Sequence, residues 1–338
     1  MFENKSIFVV SGFVFFNIII TLFVWIYVYE MKYIVVPYLM LDIENNLTTK
    51  NVFVDGILNG VFVALIFVLI SLIIGQSIIY RLKLFVSLFF KFAFLVLSYV
   101  FPAIIIFDTI HKFHWSNNLN ISLFTIIASL FFISGIVTAY FPNDLPPLLH
   151  QLHTIFICSC ISVFYLRSLP GYTIWFFLAV IILWDYFSVN SSSGPINIFI
   201  SNVHDYSERI LPSMVFIVNN NEGENNEEEN SISTTSEERT ASDVLDAYGQ
   251  TVLGYGDFIA YGMFVGKTAA DMGGCLNLTV LFTIIGILFG LLYTLKKSEA
   301  SGNGEEPSYL PALPIPLSIG AIIYLTSFAI KKFFWKNI

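Results

Sequence analysis

AVIILWDYFSV, residues 179–189, and VLGYGDFIAYGMFVG, residues 252–266, each set one aspartate in an otherwise apolar run, Asp185 in the first and Asp257 in the second. A carboxylate at the centre of a bilayer helix costs about 2.5–3.5 kcal/mol on insertion scales, so each acid has to be offset by a partner or by a function. Two in one chain suggest a shared proton. The composition says that the surrounding solvent is lipid. Hydrophobic residues make up 56% and charged residues 12% of the 338, and the mean hydropathy is +0.77, whereas about a quarter of a soluble domain is charged. The net charge of −8 is local, because residues 222–246 hold nine acids against one base, Arg239, and the remainder balances. No nucleic-acid partner is expected.

Windows of about 20 apolar residues, the length that crosses a bilayer, fall at Ile7–Val28, Val52–Ile74, Leu84–Phe107, Ile121–Phe141, Leu148–Leu166, Tyr172–Val189, Tyr248–Gly266, Cys275–Leu295 and Pro311–Ile330. The expected fold class is therefore an all-α polytopic membrane protein with nine transmembrane helices. The first run has Lys5 before it and ends in Trp25, Tyr27 and Tyr29, an interfacial aromatic belt, so it reads as an anchor and not a cleaved signal. Lysines and arginines in the short loops do not choose a side, and orientation stays open from charge alone. Cys158, Cys160 and Cys275 lie in or beside spans, where cysteine packs as a small apolar residue, and imply no disulfide framework.

Three regions follow: an N-terminal membrane part, 1–189, with spans one to six and Asp185; a loop, 190–247; and a C-terminal membrane part, 248–338, with spans seven to nine and Asp257. Asn219–Ser242 of the loop is Asn, Glu, Ser and Thr with almost nothing apolar, and the whole acidic stretch 219–246 is expected to be disordered. The preceding Leu211–Val218, LPSMVFIV, is too short to span but apolar and β-branched, and wants a sheet-like or hydrophobic resting place.

Since nothing in this loop crosses the bilayer, spans six and seven run in opposite directions. At 1.5 Å per residue, Asp185 lies about 20 Å from Tyr172 and Asp257 about 14 Å from Gly266, which are matched depths on one face. The bland alternative is that each acid meets water or a base separately, and Lys91 in the third run is the one base expected inside a span. Two carboxyls a few ångströms apart cannot both ionise, so the pair titrates as a unit. Its ionised member accepts a proton from water while its protonated member donates one to a peptide carbonyl, which is general acid and general base in one site. Such proteolysis uses no metal and no cofactor. His150 and His153 sit three residues apart at the edge of span five, where hydrogen bonding or packing is the expected role.

Gly254 and Gly256 remove two Cβ atoms beside Asp257, loosening the helix and admitting another backbone. Pro311, Pro314 and Pro316 strip three donors from the start of span nine, so this backbone is expected to be irregular, which membranes tolerate only beside protein or a water-filled cavity.

Asp185 in span six, Gly254-Tyr255-Gly256-Asp257 in span seven and Pro311-Ala312-Leu313 before span nine resemble the presenilin family, intramembrane aspartyl proteases of γ-secretase. GDFIAYGMFVGKTAA at 256–270, LPALPIPLSIGAIIYL at 310–325, Gly194-Pro195 and SMVFIV at 213–218 extend the similarity, which covers the chain, although its first five spans resemble the family mainly in pattern. The resemblance implies that Asp185 and Asp257 are the catalytic pair. It also implies that Gly254, Tyr255, Gly256, Pro311, Ala312 and Leu313 bind substrate, and that Ser213, Met214 and Val215 are the autoproteolysis segment. A single-span stub would unwind and add as a strand near 210–218, 252–253 and Leu313.

The implied partners are nicastrin, the anterior-pharynx-defective subunit and the presenilin-enhancer subunit, in endoplasmic reticulum and Golgi with onward passage to the plasma membrane. Two departures are Trp184, where tyrosine is usual, and Tyr255, where leucine is common. Signal peptide peptidase shares the aspartate motifs with inverted topology, and the KTAA and PALPIP segments favour presenilin over it. In the presenilin orientation the sequon at Asn46 is luminal. A non-proteolytic ion-leak channel or scaffold is the alternative from another class.

Overall fold

A computed structural model describes residues 4–32, 52–112, 117–140, 146–169, 171–202, 206, 215–217, 252–274, 277–301 and 310–336. Asn46, the acidic stretch 219–246, Cys275 and the segment residues Ser213 and Met214 lie outside the described residues.

The elements are α1 (Asn4–Phe23, continued by a π-helical turn at Val24–Val28), α2 (Val52–Ile79), α3 (Lys83–Lys112), α4 (Asn117–Tyr140), α5 (Pro147–Ser168), α6 (Thr173–Asn190), α7 (Pro195–Ser201), β1 (Val215–Ile217), β2 (Val252–Gly254), α8 (Tyr255–Met272), α9 (Leu278–Ser301) and α10 (Pro314–Lys336). Nine helices of 18 or more residues stand among the described residues, and eight are long and apolar enough to cross a membrane. The chain is a multi-pass membrane protein. The ninth such helix is α8, whose 18 residues include Asp257, Lys267 and Asp271.

Charge is tolerated in α8 because this helix is central. Twelve of its residues are buried, from Phe258 to Met272, and it packs against α1, α5, α6, α9 and α10. A helix covered on nearly all sides by protein needs no purely apolar surface. Its position corrects the expected seventh span: the helix starts at Tyr255 and not Tyr248, and it ends at Met272 and not Gly266. Val252–Gly254 is instead a strand, antiparallel to β1 with Val215 opposite Gly254 and Phe216 opposite Leu253. Residues 215–217 of the apolar run before the acidic stretch thus find a sheet-like place. Phe216 is fully buried and anchors the hairpin, its ring 5.1 Å from Phe13 of α1 and 5.1 Å from Phe258 of α8.

Small residues set how closely the helices approach, as lipid-embedded packing requires. Gly56 and Gly60 of α2 lie against the first turns of α6, where a Cβ at Gly60 would stand 2.8 Å from Thr173 O. Gly262 and Gly266 of α8 fit Ser162 and Leu166 of α5, and Gly286 and Gly290 of α9 fit Ile323 and Pro316 of α10. Each is a Gly-x-x-x-Gly pair, four residues and so about one turn apart.

At the other end of α1, polar groups close the bundle. Asp108 of α3 accepts hydrogen bonds from Arg167 of α5 and from the Tyr29 hydroxyl (2.9 Å), and the Arg167 guanidinium lies 4.4 Å over the Tyr29 ring. Lys112 Nζ donates to the Tyr27 and Val28 carbonyls at 2.6 and 3.1 Å, capping the π-helical turn with a cation. Arg167 is therefore tied within the bundle, and Lys91 lies 5.6 Å from the centre of the Tyr140 ring.

A Cβ at Gly290 would lie 2.6 Å from Pro316 Cα, whereas one at Gly12 meets nothing within 4 Å. Gly290→Ala is therefore expected to cost about 1–3 kcal/mol through backbone displacement, and Gly12→Ala to be neutral or mildly stabilising. Thermal unfolding of both variants in the same detergent checks the contrast.

Candidate active site

The two aspartates ride on helices brought side by side. Asp185 is the thirteenth residue of α6 and Asp257 the third of α8, and their carboxyl groups are near enough to act on one another through their charge. Counted from Met272, where α8 ends, Asp257 lies about 22 Å down against about 20 Å for Asp185 from Tyr172, so the depth match survives the corrected helix boundary.

Each carboxyl group is addressed by a backbone N–H from a motif that the sequence singles out. Asp257 Oδ2 accepts from Gly254 N–H at 3.2 Å. This is the reach of an acid in the third helical position back to the N-cap, and it places the carboxyl group at the positive end of the α8 dipole. Gly254 and Gly256 are thus at the helix start and not in its interior, which corrects their expected role as mid-helix loosening. A Cβ on Gly256 would meet nothing within 4 Å, so open space borders the site there.

Asp185 Oδ2 accepts from Leu313 N–H at 3.1 Å. Pro311, Ala312 and Leu313 precede α10 as irregular backbone, and Pro314 opens the helix as its first residue, where a missing N–H is harmless. The expectation of non-helical backbone is met at residues 311–313, although the expected ninth span, beginning at Pro311, starts three residues later. Leu313 has a buried side chain, and its N–H, expected to be available to a substrate strand, here addresses Asp185. Its neighbour Ala312 is held by its carbonyl, which accepts from the Tyr261 hydroxyl at 2.7 Å.

Of the remaining sequence candidates, Tyr255 turns toward α3 and α5. Its ring centre is 6.1 Å from that of Phe94, and its carbonyl accepts from the Cys158 thiol at 3.9 Å. Val215 begins β1, paired with Gly254. His153 meets the Ser134 hydroxyl at 3.2 Å and stacks on Phe131 at 5.8 Å, in keeping with the packing role expected for it.

Three groups of site residues escape the sequence reading. Asn17 of α1 is fully buried, donates to Phe258 O at 2.8 Å and accepts from the Ser159 hydroxyl at 2.7 Å; Ser162 donates to Ile259 O at 3.0 Å. Together with Cys158 these side chains grip the first turns of α8 behind Asp257. The amide of Asn17 within FFNIII was the available signal. Tyr261 stands one turn after Asp257 on the same face, a spacing legible in the sequence.

Lys267 and Asp271 form the third group and correct the expectation that Lys91 is the one base inside a span. Lys267 Nζ donates to Asp271 Oδ1 at 2.6 Å, while Asp271 Oδ2 accepts from Trp175 Nε1 at 3.2 Å and the Tyr324 hydroxyl at 3.0 Å. The cluster joins α8, α6 and α10, the three elements that also meet at the aspartates. Among the described residues no group of three histidines, cysteines, aspartates or glutamates is gathered as metal ligands would be.

Removing one member of a buried ion pair strands the other, at about 3–5 kcal/mol. Lys267→Met is therefore expected to lower thermal stability strongly, and adding Asp271→Asn, which removes the stranded charge, to recover part of the loss. Melting of single and double variants in detergent measures this.

The presenilin family model matches residues 2–251 and 219–334 of the chain. Presenilin spe-4 of Caenorhabditis elegans is 24% identical over an alignment covering 95% of this chain and 94% of its own length. Presenilin hop-1 of the same organism is 27% identical, covering 53% of this chain and 54% of its own. The presenilin homolog of Drosophila melanogaster is 31% identical over 71 residues, which is 21% of this chain and 13% of that protein. With a family model matched from the first helix through the last, and with both aspartate segments inside the matched residues, the chain belongs to the presenilin family.

Proposed function

We propose that this chain is an intramembrane aspartyl endopeptidase, the presenilin-type catalytic subunit of a γ-secretase complex, with Asp185 and Asp257 as its catalytic pair. The observation that carries the reading is the convergence of the two carboxyl groups at matched depth, each met by a backbone N–H, from Leu313 and from Gly254. A lone structural acid needs one donor; two acids whose charges act on one another are what proton-sharing chemistry requires.

In this reading one proton is shared between the pair. The ionised carboxylate takes a proton from a water molecule, the water oxygen adds to the scissile carbonyl carbon, and the protonated carboxyl gives its proton to the carbonyl oxygen. Collapse of the tetrahedral species expels the amine, which takes a proton from the site. The burial of the pair among helices strengthens these interactions relative to water.

The substrate class is the transmembrane stub of a single-span protein. A helical peptide bond is shielded, so the stub must unwind, and freed backbone groups in lipid need partners at several kcal/mol each. The β1–β2 hairpin, paired Val215 to Gly254 just before Asp257, supports docking by strand addition, with Gly256 keeping the approach open. Pro311, Ala312 and Leu313 lie beside Asp185, whose carboxyl the Leu313 N–H meets. The partners in this proposal are nicastrin, the anterior-pharynx-defective subunit and the presenilin-enhancer subunit, and the sites of action are endoplasmic reticulum and Golgi with passage to the plasma membrane. The family match favours this reading over signal peptide peptidase.

Asp185→Ala and Asp257→Ala are each expected to abolish cleavage of a transmembrane stub by the chain reconstituted with its partners, without loss of helical content by circular dichroism. Retained cleavage in either variant refutes the assignment, and loss of cleavage with survival of an assembly role excludes a pure scaffold. The wild-type rate is expected to fall at both pH extremes, since two protonated carboxyls offer no base and two ionised ones no acid.

Self-cleavage within Ser213, Met214 and Val215 accompanies the proposal. It would cut a peptide bond between Ser213 and Val215, on the N-terminal side of β1, and leave Phe216 anchored between α1 and α8. An antibody to the C-terminus should then detect a fragment smaller than the 38.3 kDa chain, and the fragment should be missing from Asp257→Ala.

A further inference from the structure

The Ala312–Leu313 peptide group is held at both ends. Its carbonyl oxygen accepts from the Tyr261 hydroxyl at 2.7 Å, and its N–H donates to Asp185 Oδ2 at 3.1 Å. A peptide unit is planar, so its C=O and N–H point in nearly opposite directions and fixing one fixes the other. Tyr261 sits one helical turn after Asp257, its side chain fully buried, within electrostatic reach of both aspartates. The two acids are thereby joined through protein atoms: from Asp257 along one turn of α8 to Tyr261, through one peptide group, to Asp185.

We propose that Tyr261 is a positioning residue of the aspartate site, whose hydroxyl sets the orientation of the Ala312–Leu313 peptide group and so aims the Leu313 N–H at Asp185. The hydroxyl donates to the Ala312 carbonyl and acts through the peptide. The need for such a clamp follows from the local sequence. Pro316 has no N–H to give the Ala312 carbonyl four residues back, and Pro314 keeps the preceding Leu313 out of helical geometry, so the group lacks the helical hydrogen bonds that would otherwise orient it. An unclamped peptide here rotates, and Asp185 loses its donor. A phenol is suited to this task because its ring packs in the core while its O–H reaches a partner. The inference rests on the protease reading for its functional consequence, though not for its geometry.

Two readouts separate the two. Between residues 311 and 316 only Ala312, Leu313 and Ile315 carry an amide hydrogen, since the other three are prolines. Hydrogen–deuterium exchange of a fragment covering this segment therefore isolates Leu313 almost alone. In the full chain purified with its partners, one slow amide is expected in the wild type, exchanging at least about tenfold faster in Tyr261→Phe and in Asp185→Ala. Cleavage of a transmembrane stub by Tyr261→Phe is expected to show kcat lowered about tenfold with KM little changed. Replacing Tyr261 with 4-aminophenylalanine, which restores a donor at the same reach, should recover both exchange protection and kcat.

Wild-type exchange and wild-type kcat in Tyr261→Phe would overturn the proposal, as would failure of 4-aminophenylalanine to rescue. Should Tyr261→Phe lose its fold, 4-methylphenylalanine, of the same size and without a donor, is compared with 4-aminophenylalanine, and equal behaviour of the two overturns the proposal. A chain that cleaves no stub but shows the exchange shift supports the clamp and refutes the protease reading.

Discussion

A carboxylate taken out of water into a helix bundle has to be met by a donor, and this requirement organises the molecule. Asp185 is met by Leu313 N–H and Asp257 by Gly254 N–H. Asp271 is met by Lys267, Trp175 and Tyr324, and Asp108 by Arg167 and Tyr29. Every one of these contacts except Lys267 to Asp271 joins different segments of the structure. The acids that are costly to bury are thus the points at which α1, α3, α5, α6, α8 and α10 are tied together. The desolvation cost of each charge becomes specificity for one helix arrangement, since any other arrangement strands it.

Close approach makes those contacts reachable. Backbone groups of one helix come within hydrogen-bond distance of side chains on another only where no Cβ intervenes. The Gly-x-x-x-Gly pairs of α2, α8 and α9 clear that space against α6, α5 and α10. Donors from α1 and α5, Asn17, Ser159 and Ser162, then stiffen the start of α8 from behind. The same helix carries Asp257 and, one turn on, Tyr261. Among the described helices the one that bears the second aspartate is accordingly the most enclosed, twelve of its 18 residues being buried, and rigid support of this kind suits a candidate site that holds two carboxyls in fixed relation.

Much of this was legible in the chain as written. Runs of about 20 apolar residues announced the helices, the composition announced lipid, and an aspartate in each of two apolar runs pointed to the candidate site. Errors arose where backbone geometry and not hydropathy decides. Val252, Leu253 and Gly254 are as apolar as the helix that follows, so a hydropathy window cannot see that β1 pairs with them, and it started the seventh span at Tyr248. Lys267 lies one residue beyond the expected end of that span at Gly266, so hydropathy does not reveal its ion pair with Asp271. Asn17 is an ordinary-looking interruption of an apolar run until a carbonyl 241 residues away is found beside it.

Residue order alone determined that the chain crosses a membrane many times, that two acids sit at one depth, and that the backbone before the last helix is irregular. Those conclusions rest on transfer free energies, helical rise and the missing N–H of proline, all of which are local. What faces what was decided only by the tertiary structure: that the Leu313 N–H turns to Asp185, that Tyr261 holds the same peptide from the other side, and that Lys267 finds Trp175 and Tyr324 through Asp271. Such pairings depend on how far one helix slides and turns against another, and that is fixed by the packing of the whole bundle.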